Sequence, residues 1–296
     1  MLKIENLTKR FGQVKAVDRL SFAARPGRVT GFLGPNGAGK TTTLRAALGL
    51  VAPTSGSATF DGRRYAQIRR PGREIGAALE ASSYHPGRTG LAHLEVLAAQ
   101  VGVPRARCQE VLGFVGLGPD GRRRVGQYSL GMRARLQLAA TLLGDPATLL
   151  LDEPNNGLDP EGIAWMRSLL RRLAAEGRTV LISSHVLSEV QLTVDDVVIV
   201  ARGRLVHASP LEELRALARP VTLVRAAQPE RFARLAAERG WQGAPEAGGV
   251  VVQGPTAEQI GDAAAGAGLA LHQLATRAGG LEATFLALTG QAGGGL

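Results

Sequence analysis

Apolar residues alternate loosely with polar ones over 2–7 and 16–23, and a period of two predicts a strand at each place. "RVTGFLG" (28–34) is a short apolar run closed by glycine, which reads as a buried strand. The spacing then lengthens: "KTTTLRAALGL" (40–50) carries its apolar residues at helical intervals, and "GSATFDG" (56–62) reads as a strand entering a turn. Residues 91–117 predict two helices broken near Pro104. Downstream come a helix over 130–143, a strand ending at 152, a helix over 161–176 and a strand over 178–185. "DVVIVARGRLVHA" then predicts a hairpin about Arg202-Gly203. Strands alternating with helices imply a mostly parallel sheet whose ligands sit at the C-terminal ends of its strands.

The character changes after Arg219-Pro220. Strand-like "VTLVR", "GVVVQG" and "LALHQLA" interleave with helix-like "PERFARLAAERG", "TAEQIGDAAAG" and "GLEATFLALTG". The expected organisation is a main α/β domain over 1–218, a small α/β domain over 219–290 and a loose tail over 291–296.

With 45% apolar residues the chain can build a real core, which argues against disorder. The single cysteine, Cys108, rules out an internal disulfide and suits a reducing compartment. "MLKIENLTKRF" is charged and lacks the apolar stretch of a secretion signal. The longest run without Asp, Glu, Lys or Arg, 46–60, includes Pro53, Thr54 and Ser55, so no segment is expected to span a bilayer. Net charge is +10, yet from residue 216 onward six arginines meet six acids, so the excess lies before that point. A basic region suits nucleic acid, anionic lipid or a phosphate ligand, and equally a solvated surface; the solvated reading is preferred for the scattered arginines and for Arg122, Arg123 and Arg124.

Two stretches carry specific chemistry. "GPNGAGKT" (34–41) follows an apolar strand, opens a helix and fits the phosphate-binding loop G-x-x-x-x-G-K-[ST]. Glycines let the backbone curl so that its N–H groups face a phosphate, and the helix N-terminus adds positive potential. Gly34, Asn36, Gly37, Ala38 and Gly39 form this cradle, continued by Lys40, Thr41 and Thr42. Lys40 is expected to reach the terminal phosphates and Thr41 to ligate Mg²⁺. "LLLLDEP" ends a buried strand in two carboxylates, which cost desolvation unless a cation is near. Asp152 is expected to hold the metal of a magnesium nucleotide, and Glu153 to act as general base on the attacking water. "QYSLGMRARLQLAA" (127–140) by itself reads as a polar turn with Ser129 capping a helix.

The phosphate loop, "SLGM", "LLLLDEP", "GLDP" and "SSH" occur in an order and at intervals that resemble the ATP-binding subunits of ABC transporters, and most of all the exporters of bacitracin-resistance and lantibiotic-immunity type. The resemblance covers 1 to about 215, with a weaker likeness to about 290. It implies a P-loop ATPase core with a helical subdomain over about 85–140, and ATP and Mg²⁺ as cofactors. It implies that Ser129, Gly131 and Met132 form an anion site facing the ATP of a second copy, in a head-to-tail dimer around two ATP molecules. Phe11 matches the aromatic that stacks on adenine, with a core role as the plain alternative. His185 matches the residue that contacts the γ-phosphate and orients water. Asp159 matches the loop that couples the subunits, against a plain role as cap before Pro160.

Two positions depart from the family pattern. Glu80 stands where a glutamine usually senses metal and membrane partner, and Met132 replaces a polar signature residue. Both bear on turnover more than on ATP binding. The expected function is an ATP-hydrolysing subunit that powers a separate integral membrane permease, exporting a drug, antibiotic or peptide from a cytoplasmic position on the inner membrane face. The alternative is a soluble ABC ATPase acting on nucleic acid or the ribosome. With 4% aromatics the chain offers few stacking platforms, so no nucleic-acid partner is expected.

Overall fold

The computed structural model describes residues 1–79, 84–217, 221–246, 249–277 and 281–291. The chain divides into two compact units, one running through Leu211 and the other Glu212–Leu288.

In the first unit β1 (Leu2–Phe11) and β2 (Val14–Ala24) form a hairpin. Leu2, Ile4 and Leu7 are all buried although their spacing is uneven. A register shift between Ile4 and Leu7, with Asn6 at φ 47°, inserts the extra residue and returns Leu7 to the core side. That irregularity is why the alternation looks loose in the sequence. The chain continues through β3 (Val29–Leu33), α1 (Lys40–Ala47), β4 (Ser55–Phe60), α2 (Pro71–Glu74) and β5 (Ile75–Ala78). Next come α3 (Gly90–Val101) and α4 (Ala106–Phe114). Gly102, left-handed at φ 73°, ends α3 just before Pro104, where the break was expected. Then follow α5 (Leu130–Leu142), β6 (Thr148–Asp152), α6 (Pro160–Ala175), β7 (Thr179–Ser184), α7 (Leu187–Val190), β8 (Asp196–Ala201) and β9 (Arg204–Pro210); α8 (Leu211–Leu217) starts at the boundary and belongs to the second unit from Glu212 on.

A six-stranded sheet takes the order β5-β6-β7-β3-β8-β9. It is parallel from β5 to β8, with β9 antiparallel at the edge, as the alternation of strands and helices implies. β3 and β7 are buried along their whole length, which is why they lack the alternation of a half-exposed strand. β5 was not expected: four residues show no period, and Gly76 is needed because a Cβ there would lie 2.5 Å from the Thr141 carbonyl oxygen. A separate antiparallel sheet has the order β2-β1-β4. Both sheets and α1 contribute to one core, in which the Phe22 and Phe32 rings stack 5.0 Å apart beside Leu44, Leu150 and Leu181.

The second unit contains β10 (Val221–Ala226), α9 (Pro229–Glu238), β11 (Gln242–Glu246), β12 (Gly249–Gln253), α10 (Ala257–Gly266), β13 (Leu271–Arg277) and the start of α11 (Leu281–Gln291). Its sheet, β11-β12-β10-β13, is antiparallel throughout, giving the split β-α-β arrangement. The expected strand–helix rhythm is present, but β11 was missed. "QGAPE" is exposed at every residue and carries Pro245 on a sheet edge, so it has no apolar pattern to read. Phe232, fully buried, centres a core of its own with Val224, Val252 and Ile260. No helix among the described residues is long and apolar enough to cross a membrane.

Candidate functional site

The C-terminal ends of β3, β6 and β7 meet at one place, because these strands are neighbours in parallel register. The loop from Gly34 to Gly39 leaves β3 there and opens α1. Its curl depends on glycine: Gly37 and Gly39 have φ of 79° and 98°, and a Cβ on Gly39 would lie 2.4 Å from the Ala16 carbonyl oxygen. At Gly34 a Cβ would lie 2.3 Å from the Val200 carbonyl oxygen. Asn36 and Gly37 are exposed, Ala38 is buried, and Thr42 is partly buried in the first turn of α1.

Lys40 folds back over this loop. Its Nζ donates to the Gly34 carbonyl at 2.6 Å and the Pro35 carbonyl at 3.3 Å, and lies 3.7 Å from Glu153 Oε1. Burial pushes its pKa down, against the raising influence of the Glu153 and Asp152 carboxylates. The ammonium therefore lies at the mouth of the cradle, within ion-pair distance of Glu153.

Asp152 ends β6, and both of its carboxylate oxygens are engaged. Thr41 Oγ1 donates to Oδ2 at 2.7 Å, and Ser183 Oγ donates to Oδ1. A hydroxyl and a carboxylate side by side are hard oxygen donors of the kind that take Mg²⁺ together with phosphate oxygens and water. The set fits that ion, and among the described residues no cluster of three His, Cys, Asp or Glu offers a competing metal cage. Glu153, next in the chain, adopts φ 50°, a left-handed conformation uncommon for a residue with a side chain. Its Oε2 lies 3.0 Å from His185 Nδ1, just beyond the end of β7. Lys40, Thr41, Asp152, Glu153 and His185 are thus brought together. Ser183 belongs with them and was not singled out in advance. The available signal was its position two residues before His185, near the end of the strand that leads to it.

The remaining expected residues lie elsewhere or carry other contacts. Phe11 is 51% exposed at the end of β1, with Lys9 Nζ 4.8 Å from its ring centroid, so it is not a core residue. Ser129 caps α5, its Oγ accepting from the Met132 N–H at 3.2 Å, and Gly131 is in the first turn. The Leu130 side chain between them lies against Gly157, where a Cβ would approach Leu130 Cδ2 to 2.2 Å. Asp159 caps α6, its Oδ1 accepting from the Gly162 N–H at 2.7 Å. Its plain role is therefore realised within the chain, and its exposure leaves the coupling role to a partner. Arg122, Arg123 and Arg124 are exposed, as a solvated loop would be, and Arg123 pairs with Asp120. Glu80 lies outside the described residues.

Comparison with known proteins bears on the family and the fold. Residues 17–156 match the family described as "ABC transporter", and 220–282 match a "Domain of unknown function (DUF8746)". The bacitracin transport ATP-binding protein BcrA of Bacillus licheniformis is 42% identical over 73% of this chain and 71% of its own length. The lantibiotic transport ATP-binding protein SrtF of Streptococcus pyogenes is 39% identical over 70% of this chain and 89% of its own. A solved ATP-binding subunit of an ABC transporter superposes with a TM-score of 0.66 at 25% identity, covering 73% of this chain and 92% of that one.

Proposed function

The chain belongs to the ABC transporter family of ATP-binding subunits, and from that premise we propose that it works as a head-to-tail homodimer driving an integral membrane permease that exports an antibiotic, drug or peptide. The observation that carries this reading is the meeting of Lys40, Thr41, Asp152, Glu153 and His185 at the ends of three parallel strands.

In this reading the 34–39 amides and Lys40 hold the phosphates of ATP, and Phe11 offers its exposed ring to the adenine. Thr41 and Asp152 would hold Mg²⁺, which when bound offsets the negative charge of the phosphates. Glu153 accepts the proton of the attacking water. His185, on the far side of the Glu153 carboxylate from Lys40, fixes that carboxylate and reaches the γ-phosphate. Ser129, Gly131 and Met132 present the α5 N-terminus to the ATP of the second copy, with Asp159 beside that contact. Two closed sites favour the paired state, and hydrolysis releases it. The subunit sits peripherally on the inner membrane face through its permease. Residues 220–290 support the dimer. Deleting them should weaken ATP-dependent pairing, and unchanged pairing would contradict that role. The nucleic-acid alternative draws no support from the relatives, whose names are those of transport proteins.

The test is co-purification from the native host of tagged Glu153→Gln protein with ATP present. A polytopic membrane protein in stoichiometric amount supports the reading. Recovery of ribosomal or nucleic-acid partners alone contradicts it.

A further inference from the structure

Glu153 holds a positive φ of 50° while its carboxylate lies between Lys40 and His185. A left-handed backbone is disfavoured for a residue with a Cβ, so contacts that hold it there matter. The support comes from the neighbouring strand. Ser183, fully buried, pairs with Asp152 in the parallel register of β6 and β7. Its hydroxyl makes two bonds, donating to Asp152 Oδ1 and accepting from the Glu153 N–H at 3.0 Å. One side chain thus fixes the rotamer of one carboxylate and the backbone of the next. Two residues further on, His185 holds the other end of Glu153 at 3.0 Å. Ser183 near the end of β7 and His185 just past it therefore grip Glu153 at its backbone and at its carboxylate.

From this geometry we infer that Ser183 is a positioning residue for hydrolysis: its hydroxyl keeps Glu153 in the left-handed conformation that aims the carboxylate at the attacking water, and keeps Asp152 facing Thr41. The inference rests on the reading of Glu153 as general base. The two bonds of the Ser183 hydroxyl go to Asp152 and Glu153, and it acts through these neighbours. Hydroxyl chemistry rather than volume is what the position requires, since only a group that both donates and accepts can serve Asp152 and the Glu153 N–H together.

The experiment compares Ser183→Thr with Ser183→Val, which have the same shape but differ in the hydroxyl, with Ser183→Ala as a smaller variant should the larger side chains fail to fit. Turnover is measured beside equilibrium binding of a fluorescent ATP analogue and the thermal midpoint. The expected result is turnover near wild type for Ser183→Thr. For Ser183→Val and Ser183→Ala, kcat falls about tenfold or more, with analogue affinity within about twofold of wild type, the scale of one lost hydrogen bond at the reacting centre. If the threonine and valine variants turn over equally, or if binding and turnover fall together, the inference is overturned. Glu153→Gln is run alongside. Should it hydrolyse ATP at the wild-type rate, the general-base reading itself fails. Should it stall while threonine and valine behave alike, only the role of Ser183 is lost.

Discussion

Thr41 Oγ1 donates to Asp152 Oδ2 at 2.7 Å across 111 residues of sequence. The bond ties the first turn of α1 to the end of β6, so the hydroxyl and carboxylate that would share a magnesium ion lie side by side. Asp152→Asn keeps the size and an acceptor oxygen but removes the charge. Nucleotide affinity measured without Mg²⁺ should stay within about threefold of wild type, while the gain on adding Mg²⁺ is lost. An undiminished Mg²⁺ effect would show that Asp152 does not serve the ion.

Lys40 has both a binding and a titration signature. Lys40→Met should lower ATP affinity about 100-fold or more, since charge-assisted bonds to phosphate disappear. Burial, the largest influence, lowers the Lys40 pKa in the folded protein. The unfolded chain keeps its lysine proton up to about pH 10.4, so between the lowered value and that pH it binds more protons than the folded chain. Stability of wild type relative to Lys40→Met therefore rises with pH through that window. Thermal midpoints of both proteins across the alkaline range check the sign, and a difference that falls as pH rises would contradict it.

Ser129 separates a cap from a phosphate site. Ser129→Asp retains a side chain that caps α5 through the Met132 N–H, so stability should change by no more than about 0.5 kcal/mol. The new carboxylate would face the partner's ATP, and ATP turnover should fall at least about tenfold. Full turnover by a stable Ser129→Asp protein would leave Ser129 as a cap only.

Phe232 is fully buried in the core of the second unit, among Val224, Val252 and Ile260. Phe232→Ala should cost about 3–5 kcal/mol there. Because the phosphate cradle belongs to the other unit, ATP affinity should change less than about twofold. Calorimetry would show one transition moving while ligand-induced stabilisation of the other persists. Loss of ATP binding would show that the two units do not fold as separate bodies.

The parallel core and the phosphate loop were legible because their causes are local: buried strands read as apolar runs, and the glycines at 34, 37 and 39 mark a turn that only they can make. Asp152 and Glu153 stood out as acids ending such a run. Ser183 did not, since a serine at a strand end has no sequence signature until the register of β6 against β7 places it beside Asp152. β5 and β11 escaped for a related reason: four residues with an essential glycine, and an exposed edge strand with a proline, are held by their neighbours rather than by a pattern of their own. For Ser129 and Asp159 the sequence supports two roles each, and both cap a helix within the chain. The second role of each needs the partner copy.

The most direct measurement is the solution mass of Glu153→Gln protein, a chain of 30.9 kDa, by light scattering with ATP and with ADP. The account predicts a stable dimer with ATP, a monomer with ADP, and no ATP-dependent dimer when Ser129→Asp is added. A monomer with bound ATP under conditions where turnover is stalled would contradict the central claim that two copies close around the nucleotide.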